Sequence, residues 1–586
     1  MPNKNEIKSE KILVKDVFST MWFRIPEYQR PYIWGKDEVN ELLDDLTFAS
    51  KDKPDSEYFL GSFVFQFKQA HSEQEFNEND LLDGQQRMTT LLMLLACIRD
   101  AATNQLAKNS CQSRIYQQGD PFSRIPERNR LIFAIREDVQ EFVEIYVKTP
   151  GGTNKTEELE KLTKSQADTS IQNMARAILE IRQFLGNPEN GITPEELLTF
   201  LLNNVLFIYV ATQDLEDAFR LFTILNDRGV PLRNSDILKS LNLGELDKDS
   251  DKIKYAKLWE EAESSLGDDF DRFLNHLRTI LVKDKARLSL LQEFEDKIYY
   301  PKEREKATGQ KKPALLKKGK ETFQLVERYL KHYNDLLGGG NYEETGNSFK
   351  FDNLVKVMLT GLPSSDWVPP LLLYYDRFGY LGLLDFLIEL DRKFSADWMT
   401  QLTPTERIEN MNQVIRVVEG AESAKAVLAN ACFQFDAAGL MRTVSGTVYG
   451  RKYTRYLLLK LDFIYSDPGQ LMSIQTPSVE HILPQTPKED SQWVIDFTEQ
   501  QRDEWTDKLG NLVLITRAKN SSQGRLNYKH KKAKYFNGSI TTCPNSLRVL
   551  QNSQWTMAEL VDNHKKVLGA LATNYGIQIT QVESAQ

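Results

Sequence analysis

The spacing of apolar residues along this chain changes character twice. From Tyr58 to Phe67 the run YFLGSFVFQF is rich in aromatic and β-branched residues, which predicts a strand. Leu81-Leu82 leads into Asp83-Gly84-Gln85-Gln86-Arg87, and the apolar stretch from Met88 reads as a helix. Leu206 to Val210, LFIYV, is a short apolar run of the kind a buried strand shows. Helix starts are marked by caps. Thr193-Pro194-Glu195-Glu196 is a capping box with proline at the first helical position. Asp217 to Asp227 reads as a helix stopped by Gly229, and Asn234 or Ser235 can cap another that ends near Leu243. From about Asp247 to about Ala438 the spacing is that of amphipathic helices, with a glycine stop after Leu337 and a second capping box at Thr403-Pro404-Thr405-Glu406. Tyr453 to Tyr465 is a helix of mostly apolar residues. Beyond it come an extended segment ending in Glu480-His481, a turn at Pro484, a strand around Leu512 to Ile515 and a basic, helix-like run. The pattern predicts a multidomain α+β protein divided at 10–245, 246–438 and 439–586, with a largely helical middle.

Length supports that division, because 586 residues exceed what one hydrophobic core encloses. No stretch reaches the roughly 18 apolar residues of a membrane span; the longest, Met88 to Ile98, is interrupted by two threonines. The first residues lack the apolar region of a secretory leader, so a cytoplasmic protein is expected. The four cysteines are scattered and form no CxxC pair, which argues against a structural zinc site or a disulfide framework. Net charge is −9, yet nucleic-acid binding depends on local charge. Arg517 to Lys534 carries seven basic residues and no acid, whereas the basic run from Lys302 to Lys320 is mixed with Glu303 and Glu305 and reads as a solvated loop.

Chemistry gathers at the C-terminal end. An extended segment ending in Glu480-His481, a proline turn, a strand and a helix form the layout of a ββα-metal nuclease. Phosphodiester hydrolysis needs a base for water, which His481 supplies, and a divalent cation for the developing charge. A hard ion such as Mg²⁺ or Mn²⁺ takes oxygen ligands, and Glu480 and Asn520 offer them, with Asn511 as the orienting amide. Arg525, Lys529, Lys531 and Lys532 are then expected on the DNA backbone. The structural alternative is a hydrogen-bonded histidine beside a proline turn, and His530 reads as a solvated helix residue. These residues resemble, in VEHILPQ, LGNLVLI and a following N…N-Y-K, the HNH-type nuclease domain of GmrSD-type modification-dependent restriction enzymes, over about the last 130 residues.

Three further motifs lie in the first 240 residues: IPEYQRPYIW from Ile25, DGQQRMTT from Asp83, and FTILNDRGVPL from Phe222, followed by Asp236. In the second, a glycine joins a strand to a helix start, where free N–H groups attract phosphate and Arg87 adds a bidentate contact. A structural turn with a surface arginine accounts equally for the same residues. Phe23, Ile25 and Trp34 read as core. Together the motifs resemble the N-terminal domain of the same GmrSD family, which has a ParB/sulfiredoxin-like fold and binds and hydrolyses nucleoside triphosphates. That resemblance implies a nucleotide site, with Mg²⁺, at Asp83, Gly84, Gln85, Gln86 and Arg87, with Gln29 and Arg30 near it or near a DNA-sensing surface. It implies a type IV restriction enzyme acting on modified double-stranded foreign DNA under nucleotide control, and it is compatible with a homodimer. Two other readings fit the residues: a nucleotide-dependent RNA endonuclease, and a ParB-like nucleotide-sensing DNA-binding protein without cleavage.

Overall fold

The computed structural model describes residues 7–26, 29, 31–68, 78–122, 125–133, 137–165, 168–212, 233–303, 311–474, 477–516, 525–536 and 543–578. The chain forms two compact units, Met1–Gly267 with Lys318–Phe323, and Asp268–Lys317 with Gln324–Gln586. Most of the helical middle therefore belongs to the same unit as the C-terminal residues.

The first unit is built on a mixed sheet. Its strands are β1 (Lys8–Leu13), β2 (Phe23–Ile25), β3 (Tyr58–Lys68), β4 (Glu78–Asp83), β7 (Leu131–Phe133) and β8 (Val205–Thr212), in the order β1-β8-β3-β4-β2-β7. Two short strands, β5 (Tyr116–Gln117) and β6 (Arg128–Asn129), form a separate ribbon. β3 lies parallel to β8 and antiparallel to β4, and Asp83, at the last position of β4, stands opposite Val64 of β3. β8 is buried at seven of its eight positions, which explains why its sequence does not alternate. The helix after β4, α3 (Gln85–Ala101), is buried on all sides from Met88 to Ile98, as expected of a helix that is apolar all round. Phe23, Phe63, Phe65, Phe207 and Tyr209 pack edge-to-face or tilted against one another in the same core. Phe23 and Ile25 are core, and Trp34 packs partly buried against the same cluster. The predicted helix from Asp217 to Asp227, with Gly229, lies outside the described residues, as does the whole FTILNDRGVPL motif.

Both predicted capping boxes form: Thr193 Oγ1 accepts from the N–H of Glu196 and Thr403 Oγ1 from that of Glu406, each glutamate reaching back to its cap. In the second unit, β9 (Pro477–His481) pairs antiparallel with β10 (Leu512–Thr516), with His481 opposite Leu512. The helix Tyr528–Phe536 supplies Tyr528 to a core of Ile482, Leu483, Trp493, Phe497, Val513, Ile515, Val549 and Trp555. No described helix is long and apolar enough to cross a membrane.

Candidate active site and nucleotide site

At the end of β9 the pleat sends neighbouring side chains to opposite faces. His481 turns toward Asp507, whose Oδ1 lies 2.9 Å from Nε2, and toward the ring of Tyr449, with centroids 4.2 Å apart. Gln485 donates to the same Asp507 oxygen at 3.1 Å. An ionised carboxylate can only accept, so Nε2 keeps its proton and donates this hydrogen bond, which leaves the Nδ1 lone pair without a partner among the described residues. Burial pushes the imidazole below its ordinary value and the Asp507 carboxylate opposes the shift, so the ring stays neutral at physiological pH. A neutral, oriented imidazole is what a general base requires.

The backbone around the pair is held at several points. Asn511 is fully buried; its Oδ1 accepts from the N–H of Leu483 at 2.8 Å, and its Nδ2 donates to the carbonyls of Leu483 at 2.9 Å and Thr506 at 2.8 Å. It thereby fixes the turn after His481 and the residue before Asp507. The carbonyl of Asp507 accepts from the N–H groups of Val448 and Tyr449 at 3.0 and 3.2 Å. Gly510 is needed because a Cβ there would stand 2.6 Å from the backbone of His564, on the helix Met557–Asn574.

Glu480 faces the other way. Its Oε1 is 2.5 Å from Nζ of Lys531, which also donates to the carbonyl of His481 at 2.5 Å. Burial pushes the Glu480 carboxyl up and the Lys531 ammonium down, and the charge of each opposes the shift of the other. Two expectations change here. Lys531, expected on DNA phosphate, is completely buried, because the helix face that packs on β9 needs a counter-charge for Glu480. Glu480, expected to hold a divalent ion, is an ion-pair partner instead, and the ammonium beside it repels a second cation. As it stands this carboxylate does not fit a metal ligand set, and no group of three metal-binding side chains is present among the described residues. Asn520, the other expected ligand, lies outside the described residues.

Lys532 also turns inward from solvent, donating to the carbonyls of Asn552 at 3.0 Å and Gln551 at 3.3 Å, beyond the helix Pro544–Leu550. Arg525, Lys529 and His530 remain exposed. Asp507 and Tyr449 escaped the sequence reading because their partner stands 26 and 32 positions away, joined only by the fold.

In the first unit, Gly84 occupies the left-handed region at φ 86° and heads α3. A Cβ there would meet that of Phe63 at 2.6 Å, so the close approach of β3 also requires glycine. Among the described residues no side chain caps the helix start. Arg87 and Asp83 approach to 4.0 Å, and Arg87 Nη1 donates to the carbonyl of Leu60 at 3.2 Å. Burial raises the Asp83 carboxyl while Arg87 opposes the shift. Gln85 and Gln86 border a small cleft with Ile25, Tyr32, Thr89 and Ser170. Gln86, expected on nucleotide, clamps the neighbouring loop: Oε1 accepts from Ile33 N at 2.9 Å and Trp34 N at 3.3 Å, and Nε2 donates to the carbonyl of Pro31 at 3.0 Å. Gln29 is buried and donates to the carbonyl of Leu82 at 2.9 Å, bracing the end of β4. Arg30 lies outside the described residues.

Among curated proteins, none matches the chain. The family model of the GmrSD restriction endonuclease N-terminal domain matches residues 11–243, which carry the sheet and the Asp83–Arg87 turn. That of the GmrSD restriction endonuclease C-terminal domain matches residues 440–570, which carry His481, Asp507 and Lys531. With both family domains present in order, the chain belongs to the GmrSD restriction endonucleases.

Proposed function

We propose that the chain is a nucleotide-regulated endonuclease that hydrolyses phosphodiester bonds in modified foreign DNA, a type IV restriction activity, with His481 as general base in an HNH-type centre. The observation that carries the reading is the His481–Asp507 pair, 2.9 Å apart, with Nδ1 unpartnered among the described residues and burial pushing the imidazole below its ordinary value. Water loses a proton to Nδ1 as its oxygen bonds to phosphorus. One ester P–O bond breaks, and the leaving oxygen takes a proton from solvent. Asp507 fixes the tautomer and balances the imidazolium that forms, while Asn511 holds the turn that aims the ring. A divalent ion, Mg²⁺ or Mn²⁺, would neutralise charge on the phosphoryl group when bound. Glu480 does not fit as its ligand while paired with Lys531, and the proton transfer to His481 stands independently of it.

In the first unit, Arg87 and the uncapped start of α3 would hold the phosphates of a nucleoside triphosphate, and Asp83 would face its Mg²⁺. Gln85 borders the adjoining cleft and would meet the sugar or base. Gln86 and Gln29 shape that site from behind, by holding the Pro31–Trp34 loop and the end of β4.

The test is incubation of the full chain with modified and unmodified phage DNA and Mg²⁺, with and without each nucleoside triphosphate. Cleavage restricted to modified DNA and altered by nucleotide is expected. Cleavage of RNA with DNA left whole would overturn the substrate, and cleavage indifferent to nucleotide would remove the regulatory half of the reading.

A further inference from the structure

We infer that the turn and helix start from Val448 to Arg455 form the surface that grips the DNA backbone beside the base; this rests on reading His481 as part of a nuclease centre. The sequence from Ala437 to Leu461 contains no aspartate or glutamate, but five basic residues: Arg442, Arg451, Lys452, Arg455 and Lys460. The structure sorts them. Lys460 is buried against Asp391, and Arg442 reaches Asp436 at 4.0 Å. Arg451, Lys452 and Arg455 are exposed, and none makes an ion pair or a side-chain hydrogen bond with any described residue.

Exposed cations are ordinarily just solvated. Here they stand on a rigid turn tied to the catalytic pair. Val448 N and Tyr449 N donate to the carbonyl of Asp507, Thr447 bridges to Lys508, and the ring of Tyr449 stands edge-on to His481. Arg451 N closes the turn on the carbonyl of Val448 at 3.1 Å, with Gly450 at φ 75° supplying the left-handed residue. Thr454 Oγ1 donates to the carbonyl of Arg451 at 2.8 Å and to that of Val448, which locks the turn onto the helix Thr454–Tyr465.

A phosphate at His481 is flanked along its strand by others roughly every 3.4 Å of helix axis, so cations fixed next to the base meet the neighbours of the attacked group. Backbone contacts of this kind set register without reading sequence. Tyr449, 37% exposed, presents an aromatic surface at the same place. The partner that fits is a duplex DNA backbone. The basic run beyond Arg517, by contrast, turns Lys531 and Lys532 inward.

The test uses the full-length His481→Ala protein, so that the duplex survives, and compares it with the same protein carrying Arg451→Ala, Lys452→Ala and Arg455→Ala. Affinity for a short unmodified duplex is measured by fluorescence anisotropy across a salt series. The slope of log K against log salt should fall by up to about 2.7, at roughly 0.9 per phosphate, and Lys425→Ala, at an exposed lysine on the separate helix Ala424–Leu428, should leave it unchanged. Lys452→Glu alone, with an unaltered melting temperature, should lower affinity in the same direction. An unchanged slope in the triple variant overturns the surface. Binding of duplex RNA but not DNA overturns the partner. Failure of the base assignment shows separately, as cleavage that persists in His481→Ala.

Discussion

Replacing Lys531 with methionine removes an ammonium but keeps most of the side-chain volume, so it isolates the charge. Lys531 is fully buried, and Glu480 loses its partner when the ammonium goes. Breaking a buried pair from one side costs about 3–5 kcal/mol, because the remaining charge stays desolvated. In the second unit this corresponds to a melting temperature lower by on the order of 10 °C. The loss carries a pH signature. Burial already raises the Glu480 carboxyl, and Lys531 is what opposes the rise, so the variant's folded-state value climbs further above its unfolded value. A carboxyl raised in the folded state is destabilising above its unfolded value, so the deficit grows as pH rises through that window and shrinks at low pH. Trp493 and Trp555 lie in the core that β10 and the turn after β9 help to form, and they report its unfolding by fluorescence. The assay is thermal unfolding at pH 5 and pH 8, with the salt slope of DNA binding beside it. A variant with wild-type stability at both pH values and a salt slope reduced by about 0.9 would refute the ion pair and return Lys531 to the DNA surface.

Asp507→Asn should slow single-turnover cleavage by up to about 10⁴-fold, the cost of leaving a general-base histidine in the wrong tautomer, while DNA affinity holds; equal rates would make the pair incidental. Arg87→Ala should weaken nucleoside triphosphate binding in equilibrium titration, and the same affinity in that variant and in Asp83→Ala would leave the motif as a turn. Asp462 is buried, accepts from the N–H of Asn545 at 2.8 Å, and is pushed up to about 7 by burial. Its folded form binds more protons than its unfolded form between about pH 4 and 7, so this group lowers stability as pH rises through that window, by at most about 1.4 kcal/mol per unit. Asp462→Asn should therefore gain on the wild type at pH 8 relative to pH 5, and a pH-independent difference in denaturation would contradict this.

What was legible in the sequence was local. β3 and β8 announced themselves by aromatic and β-branched runs, and Thr193 and Thr403 by capping boxes whose members stand three residues apart. Gly84 stood in a motif read as a strand-to-helix turn and Gly510 inside LGNLVLI, and each proves necessary because another backbone or Cβ comes within 3 Å of where its own would be. The polar partnerships were not legible, because they close over long separations. Glu480 meets Lys531 across 51 positions and Gln86 meets Ile33 across 53. A run of lysines on one helix also conceals the helical period: Lys531 faces the sheet, while Lys529, two residues earlier, faces solvent. The acid-free stretch around Arg451 drew no notice because its cations are sparse in sequence, and the tie to Asp507 exists only in the fold.

The most direct measurement is single-turnover cleavage of a modified DNA substrate by His481→Ala, at saturating protein and with folding and nucleotide hydrolysis checked in the same preparation. A general base contributes about 10²–10⁴-fold, and a rate reduced by at least that range, with the DNA still bound, is expected. Cleavage near the wild-type rate would show that the Nδ1 facing away from Asp507 takes no proton, and that the centre lies elsewhere in the chain.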